Sequence, residues 1–220
     1  MEKPLLVISP HPDDMEIGMG GTVAKLVEAG KVVTSVVLTD GRRSPNPFAW
    51  SEEEMVLRRK EEAQQAATIL GVQEVIFLGL PGLRSEQQYR AAQEQLTALL
   101  LRLQPVEIYT VHERLDRHPT HQIAGRLTRE CLQASRLHTI GRIWAYEVWA
   151  TFPFWDRIEY IDAQVGKKLQ AIAAHKSQIA SLPYGEGVLG LNRWHAVFAD
   201  PQASETRGAF AEVFLSVEVA

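Results

Sequence analysis

Cysteine is almost absent from this chain of 220 residues. Its one cysteine, Cys131, excludes an intrachain disulfide, so the sequence does not indicate an oxidising compartment. Long apolar runs are also missing, and the apolar stretch that begins at Leu5 is too short for a signal peptide or a membrane span. We therefore expect a soluble, cytoplasmic protein that does not bind to membranes.

An excess of positive charge is missing as well. Lys and Arg number 23 against 27 Asp and Glu, a formal net charge of −4, which argues against a nucleic-acid platform and an anionic-membrane binder. Hydrophobic residues make up 45% of the chain, enough for a sizeable core at this length. Because the sequence contains no repeat, low-complexity tract or long linker, we expect a single domain over residues 1–220.

Short apolar runs alternate with segments of helical periodicity over the first two thirds of the chain. Because the runs are apolar at successive positions, they are typical of strands buried on both faces of a parallel sheet. Ser51 and Glu54 form a capping-box pattern, and Gly71 marks the end of the helix that they begin. The pattern predicts an α/β fold, a Rossmann-like, doubly wound, mostly parallel sheet with helices on both faces. The predicted strands cover residues 5–8, 32–38, 75–78 and 106–111.

The last third is less regular and predicts an elaborated C-terminal part. Residues 143–149 alternate as in a strand, and Asp162 is a candidate cap for a helix that extends to Ile179. Residues 183–190 are rich in glycine and proline and indicate an irregular stretch. Residues 209–217 predict a final strand.

The segment after the first predicted strand carries an imidazole and three carboxylates, those of His11, Asp13, Asp14 and Glu16. In an open α/β sheet, ligands bind beyond the carboxyl ends of the strands, so a site is expected at this position. The alternative is a polar turn in which Asp14 or Glu16 caps the following helix.

A second cluster, from Asp116 to His121, follows the fourth predicted strand. If the two strand ends converge, His11, Asp14 and His121 supply two nitrogens and one carboxylate, the set typical of a catalytic metal site with an open position for water. Such a set accepts zinc and also ferrous iron.

The neighbours of these ligands fit metal-assisted hydrolysis. A bound metal lowers the pKa of water from ~15.7 to roughly 7, so the adjacent Asp13 can accept a proton from that water at neutral pH. His118 can donate to the oxyanion that forms when a carbonyl is attacked. Taken alone, His118 is better explained as a surface residue that caps a helix, and it is the neighbouring cluster that favours the catalytic interpretation.

The two clusters resemble motifs of the PIG-L/LmbE-like superfamily of zinc-dependent deacetylases. The resemblance covers nearly the whole length. The motif sequences are most similar to those of the branch that contains the deacetylases of bacillithiol biosynthesis, which act on N-acetylglucosaminyl malate. The resemblance is carried by His-Pro-Asp-Asp at 11–14, Glu-Ile-Gly-Met-Gly-Gly at 16–21, Leu-Thr-Asp-Gly at 38–41, Asp-x-His-Pro-x-His at 116–121, His-x-Ser-Gln at 175–178 and Phe-Ala-Glu-Val-Phe at 210–214.

The resemblance implies a zinc-dependent N-deacetylase that acts on a small amino-sugar substrate and forms a homo-oligomer. It assigns His11, Asp14 and His121 as metal ligands, Asp13 as general base, His118 as the stabiliser of the tetrahedral intermediate and Arg58 as a substrate contact. Many members have Asp where this chain has Thr120. We therefore expect His118 to be less basic here, unless Asp116 substitutes.

Further candidates for the substrate pocket are Glu16, Asp116, Glu147 and His112, the last directly after the fourth strand. For Glu147 the alternative is a paired structural acid. The aromatic residues at 144–155 favour core or interface packing over a wall beside a sugar ring, and His138 and His195 are expected to be structural.

Two other functions are weighed against the deacetylase. Gly18, Gly20 and Gly21 mimic part of a dinucleotide-binding motif, but they do not directly follow the first strand and Val23 takes the place of the third glycine. A metal- or sugar-binding homologue with little turnover is the other alternative, and Thr120 is the feature that suggests it.

Overall fold

One mixed sheet organises residues 3–198 and 208–218, the part of the chain that the computed structural model describes. Within this part, seven strands follow the order β3-β2-β1-β4-β5-β7-β6. The pairs among the first five strands are parallel, and β7 pairs antiparallel with both β5 and β6. The strands are β1 Leu5–Ser9, β2 Val33–Thr39, β3 Glu74–Leu80, β4 Glu107–Val111, β5 Arg142–Tyr146, β6 Arg157–Tyr160 and β7 Ala211–Ser216.

Helices cover both faces of this sheet. On one face α1 and α2 pack together with α5, and on the other face α3 packs against α4. This arrangement confirms the predicted doubly wound α/β fold. None of the helices in the described ranges is both long and apolar enough to span a bilayer. The helices are α1 Asp14–Glu28, α2 Glu52–Leu70, α3 Glu86–Leu103, α4 Pro119–Ser135, α5 Val165–Ala174, α6 Lys176–Ile179 and α7 Tyr184–Phe198.

The burial of the central strands explains why their apolar runs predict strands. Every residue of β1 and β2 is buried, as expected for strands covered on both faces. From β1 the chain crosses to β2 on one side, whereas from β4 it crosses to β5 on the other side. The loops that follow β1 and β4 therefore diverge around a crevice, which is the usual ligand position in such sheets.

Helix α2 begins and ends at the residues that the sequence indicates. Ser51 Oγ accepts the Glu54 N–H, and the Glu54 carboxylate accepts the Ser51 N–H, which completes the capping box. At the other end Gly71 has φ 83°, a left-handed conformation that favours glycine.

The glycines that mimic a dinucleotide-binding loop lie inside α1. Gly18 lies against Tyr146, and Gly21 lies against Ile161 so closely that a Cβ atom would clash. At Met19 the helix is kinked, and the Glu212 carboxylate accepts the N–H groups of Gly21 and Thr22 beyond the kink. Gly18 and Gly21 therefore allow α1 to pack closely against Tyr146 and Ile161.

The C-terminal third differs most from the sequence-based prediction. Strand β6, of four residues, was not predicted, and the segment predicted as one helix to Ile179 is broken at His175, where ψ is 60°. Its N-cap is Gln164, whereas Asp162 accepts a hydrogen bond from the Ala209 N–H.

The glycine-rich stretch predicted to be irregular forms the first half of α7. This helix packs on β7, where the buried Asn192 donates to the Ala211 carbonyl at 2.9 Å. Because glycine disfavours helix by only about 1 kcal/mol per residue, packing of this kind overrides it.

Candidate active site

A tight turn after β1 presents the first motif. The His11 N–H donates to Asp14 Oδ2 at 2.7 Å, and the Asp13 N–H donates to the His11 carbonyl at 3.0 Å. Asp13 is the N-cap residue of α1, yet its side chain makes no capping hydrogen bond. The polar turn therefore leaves the Asp13 carboxylate available for another partner.

Three donor atoms from the two motifs form a nearly equilateral triangle. His11 Nδ1 lies 3.1 Å from His121 Nε2, and Asp14 Oδ2 lies 3.2 Å from the first nitrogen and 3.3 Å from the second. Two ligands of a tetrahedral ion, each bonded at roughly 2.0–2.1 Å, lie about 3.3 Å apart. The triangle therefore fits a single divalent cation, with two imidazoles and a carboxylate as its donors.

Asp116 fixes the orientation of the His121 ring. Its Oδ2 lies 3.0 Å from His121 Nδ1, and its Oδ1 accepts the His118 N–H at 2.7 Å. With a proton on Nδ1, His121 Nε2 keeps its lone pair directed at the triangle, the usual arrangement behind a metal-ligating histidine. Asp116 thus contacts the ring of His121 and the backbone N–H of His118.

The pKa values show that the triangle stabilises positive charge. Burial lowers the pKa of His121, but the carboxylates of Asp14 and Asp116 outweigh it and raise that pKa to about 10. Burial raises the pKa of Asp14, but His121 and His11 hold it well below its ordinary value. A divalent cation satisfies the same demand for charge.

The Asp13 carboxylate is held by a buried arginine, Arg59. Their Nη2 and Oδ1 atoms lie 2.8 Å apart, and the side chains are 2% and 9% exposed. Arg59 also donates to Ser44 Oγ. The arginine that the resemblance assigned, Arg58, lies outside the cleft: its side chain is 56% exposed, 3.3 Å from Glu61.

His118 lies at the edge of the triangle, with its ring 5.0 Å from the His11 ring and 4.7 Å from the His121 ring. The atoms of these three histidines that can bind a metal lie within 4.8 Å of one another. Burial lowers the pKa of His118 to about 4, helped by the neighbouring His11 and His121. Its Nδ1 is buried and has no hydrogen-bond partner among the described residues. The ring is therefore a neutral group facing the cleft.

A cleft of about 360 Å³ opens above these groups. The Trp149 ring stacks on the His118 ring with 6.0 Å between the ring centres and 29° between the planes, and Tyr184 meets Trp149 edge-on at 6.2 Å. Other residues that line the cleft include His11, Asp13, Asp14, Arg42, Arg43, Arg59, Arg84, Gln88, Thr120 and Gln178.

Four of the residues predicted to bind substrate lie outside this cleft, in addition to Arg58. Asp116 is buried against His121 and does not line the cleft. Glu16 is buried with its Oε2 3.6 Å from His175 Nε2, and His112 Nδ1 accepts backbone N–H groups in a separate depression. Glu147 is paired with His195 at 2.7 Å and accepts the Phe152 N–H, which is the structural alternative weighed for it. His175, expected on a helix surface, is 1% exposed.

Sequence reasoning missed Arg59, Trp149, Tyr184 and the arginines of the cleft. Arg59 is adjacent to Arg58 in a run of charged residues, and the two differ because only Arg59 lies on the buried face of the helix. Trp149 was grouped with aromatic residues expected to pack in the core. Nothing in the sequence distinguished Arg43 and Arg84 from surface charge.

Known proteins share both the sequence motifs and the fold of this chain. Residues 6–132, which include both motifs, match the sequence profile of the PIG-L family, described as GlcNAc-PI de-N-acetylase. The chain belongs to the PIG-L family. The matched range ends within α4 and so contains the three donor residues of the triangle and Asp13.

Relatives of this PIG-L protein include two named deacetylases. Diacetylchitobiose deacetylase from Thermococcus kodakarensis is 34% identical over 143 residues, which is 64% of this chain but only 53% of that protein. Probable N-acetyl-alpha-D-glucosaminyl L-malate deacetylase 2 from Bacillus cereus is 26% identical over 193 residues, 83% of this chain and 86% of that protein.

Among solved structures, the PIG-L chain is similar to N,N'-diacetylchitobiose deacetylase from Pyrococcus horikoshii. The TM-score is 0.82 at 27% sequence identity, and the alignment covers 98% of this chain and 84% of the other. The fold of the described residues is thus shared over nearly the whole chain.

Proposed function

We propose that this protein is a metal-dependent hydrolase that removes the N-acetyl group from an N-acetylglucosamine conjugate. The observation that carries the proposal is the triangle of His11, Asp14 and His121, with Asp13 on the same turn and in the lining of the same cleft. The deacetylase names of the relatives support the reaction type.

In this proposal His11 Nδ1, Asp14 Oδ2 and His121 Nε2 hold one divalent ion. The ion, when bound, polarises the acetamide carbonyl and makes water acidic enough to lose a proton near neutral pH. Asp14 is favoured over His118 as third ligand because its oxygen completes the triangle at 3.2 and 3.3 Å. Zinc is the proposed metal, and the donor set also accepts ferrous iron.

Asp13 is proposed as the general base. Its carboxylate accepts the proton from the attacking water and later returns it to the departing amine, so that the acetamide is split into acetate and a free amino group. The buried guanidinium of Arg59, 2.8 Å away, holds this carboxylate in place.

His118 is proposed to stabilise the oxyanion. Its ring faces the cleft, and its buried Nδ1 has no partner among the described residues. Because its pKa of about 4 keeps the ring neutral, it acts by donating an N–H to the developing negative charge.

The conjugate that we propose first is N-acetylglucosaminyl malate or a close analogue. This choice is supported by the name of the relative from Bacillus cereus and by the similarity of the motif sequences to the bacillithiol branch. Trp149 and Tyr184 supply an aromatic wall against which a sugar ring can pack. A single domain over residues 1–220, a cytoplasmic location and a homo-oligomeric state are retained as proposals from the sequence.

The test is release of acetate from N-acetylglucosaminyl malate and from a chitobiose substrate. We expect activity that a chelator removes and that zinc restores. Zinc binding without acetate release from either substrate would contradict the proposal and favour the alternative, a metal- or sugar-binding homologue with little turnover.

A further inference from the structure

The cleft extends from the metal triangle toward one side of the sheet. Its lining includes residues 41–45 after β2 and residues 81–84 after β3, together with Gln88 in the first turn of α3. Neighbouring strands lie about 4.8 Å apart, so the loop after β3 begins about 10 Å across the sheet from the loop after β1. That distance leaves room beside the acetamide for a second substrate group.

Besides two histidines and a tyrosine, six ionisable residues line the whole cleft. Four are arginines, Arg42, Arg43, Arg59 and Arg84, and two are aspartates, Asp13 and Asp14. Arg59 is neutralised by Asp13, and Arg42 is neutralised by Asp40 at 2.7 Å and by Glu52 at 3.6 Å.

Arg43 and Arg84 differ from the other two arginines. Both are exposed in the cleft, and neither has an ion-pair or hydrogen-bond partner within residues 3–198 and 208–218. They come from two loops, after β2 and after β3, that line the same cleft. Two guanidinium groups are thus available to the same bound molecule.

The opposite side of the cleft has a different character. Trp149 follows β5, which lies on the opposite flank of β1 and β4 from β2 and β3, and its ring lies 6.0 Å from that of His118. Tyr184 meets Trp149 edge-on and completes an aromatic surface. A ligand that spans the cleft therefore meets aromatic rings at one end and uncompensated positive charge at the other. Planar guanidinium groups bind carboxylates and phosphates with paired, charge-assisted hydrogen bonds.

We infer that Arg43 and Arg84 select substrates whose aglycone carries an anionic group, a carboxylate or a phosphate. The inference rests on the proposed function: the acetamide is attached to the sugar carbon next to the anomeric carbon, so an acetamide held at the triangle places the aglycone close beside it. The aglycone then extends over the loops after β2 and β3. Neutral conjugates gain nothing from these two arginines.

The experiment compares kcat/KM for three N-acetylglucosaminides: a neutral methyl glycoside, the malate glycoside and a glycoside with a phosphate monoester on the aglycone. We expect the better anionic substrate to exceed the neutral one by tenfold or more. Arg84→Ala and Arg43→Ala are each expected to lower this anionic-to-neutral ratio by about tenfold, mainly through KM. The larger loss, with carboxylate or with phosphate, identifies the anion.

Arg90→Ala is the matched control, because it removes an exposed arginine that pairs with Glu86 outside the cleft. It is expected to leave the ratio unchanged. Raising the salt concentration should lower the ratio for the wild-type enzyme, since exposed charges are screened. A wild-type ratio near one, or a ratio that Arg84→Ala and Arg43→Ala leave unchanged, would overturn the inference.

Failure of the proposed function gives a different result. If no glycoside releases acetate, the deacetylase proposal fails, and calorimetric titration of the malate and methyl glycosides then tests the arginines directly. Tighter binding of the malate glycoside that Arg84→Ala removes would support the inference, whereas equal binding of both glycosides would overturn it.

Discussion

His11 Nδ1 and His121 Nε2 lie 3.1 Å apart, although 110 residues separate them in the sequence. They meet because β1 and β4 are neighbouring parallel strands whose loops leave the same edge of the sheet. Asp14 Oδ2 lies within 3.3 Å of both nitrogens. The proposed metal-dependent deacetylation requires this contact, because it brings the two imidazoles to one ion.

Asp13→Ala is expected to abolish turnover while metal binding is retained. The carboxylate is proposed to move a proton and is not one of the three donors, so its loss should not empty the site. Acetate release and metal content per chain are measured on the same preparation. Activity close to that of the wild type would remove Asp13 from the role of base.

Arg59→Met is expected to lower kcat/KM at least about tenfold and to destabilise the fold by about 3 kcal/mol. Removing one partner of a buried pair leaves the Asp13 carboxylate buried without its counter-charge. Urea unfolding and steady-state kinetics provide the two measurements.

Arg58→Met is the matched control for Arg59→Met, one residue away on the same helix. Its exposed pair with Glu61 contributes about 0–1 kcal/mol, so both activity and stability should change little. A larger loss of kcat/KM in Arg58→Met than in Arg59→Met would reverse the assignment of the two arginines.

His118→Ala is expected to reduce kcat by about a hundred- to a thousandfold, the usual loss when one oxyanion donor is removed. Because His118 is not assigned as a ligand, the metal content should stay at the wild-type value. A loss of less than about tenfold is incompatible with the assigned role, and a loss of metal would make His118 a ligand instead.

Asp116→Asn is expected to weaken metal binding by about 10- to 100-fold, since it removes the carboxylate that orients His121. Competition with a chelator of known affinity measures the change. His112→Gln is a suitable control because His112 lies outside the cleft. Equal affinities for Asp116→Asn and the wild type would show that Asp116 does not act through His121.

The predictable part of the fold is its parallel half. The runs that form β1, β2 and β4 are apolar at most positions because these strands are almost wholly buried. The run in β3 is equally apolar, although this edge strand is mostly half-buried. Strand β6 has only four residues, too few for its alternation to predict a strand, and α7 starts in a glycine-rich stretch that hides its helical period. Both are determined by packing against β7.

The residues of the candidate site also divide into those that the sequence indicates and those that it does not. His11, Asp14 and His121 were readable because each follows a buried strand and belongs to a compact motif. Arg58 and Arg59 are not distinguishable in this way, because two adjacent helical arginines differ only in the face that they present, which sequence alone does not reveal. The positions of Trp149 and Tyr184 depend on how the C-terminal segments fold back over the cleft.

The most direct test of the account is a crystal structure of the zinc-loaded protein with anomalous diffraction recorded at the zinc edge. We predict one strong peak per chain, bonded to His11 Nδ1, Asp14 Oδ2 and His121 Nε2. A structure in which zinc lies elsewhere, or in which the imidazoles of His11 and His121 are too far apart to share an ion, would contradict the account.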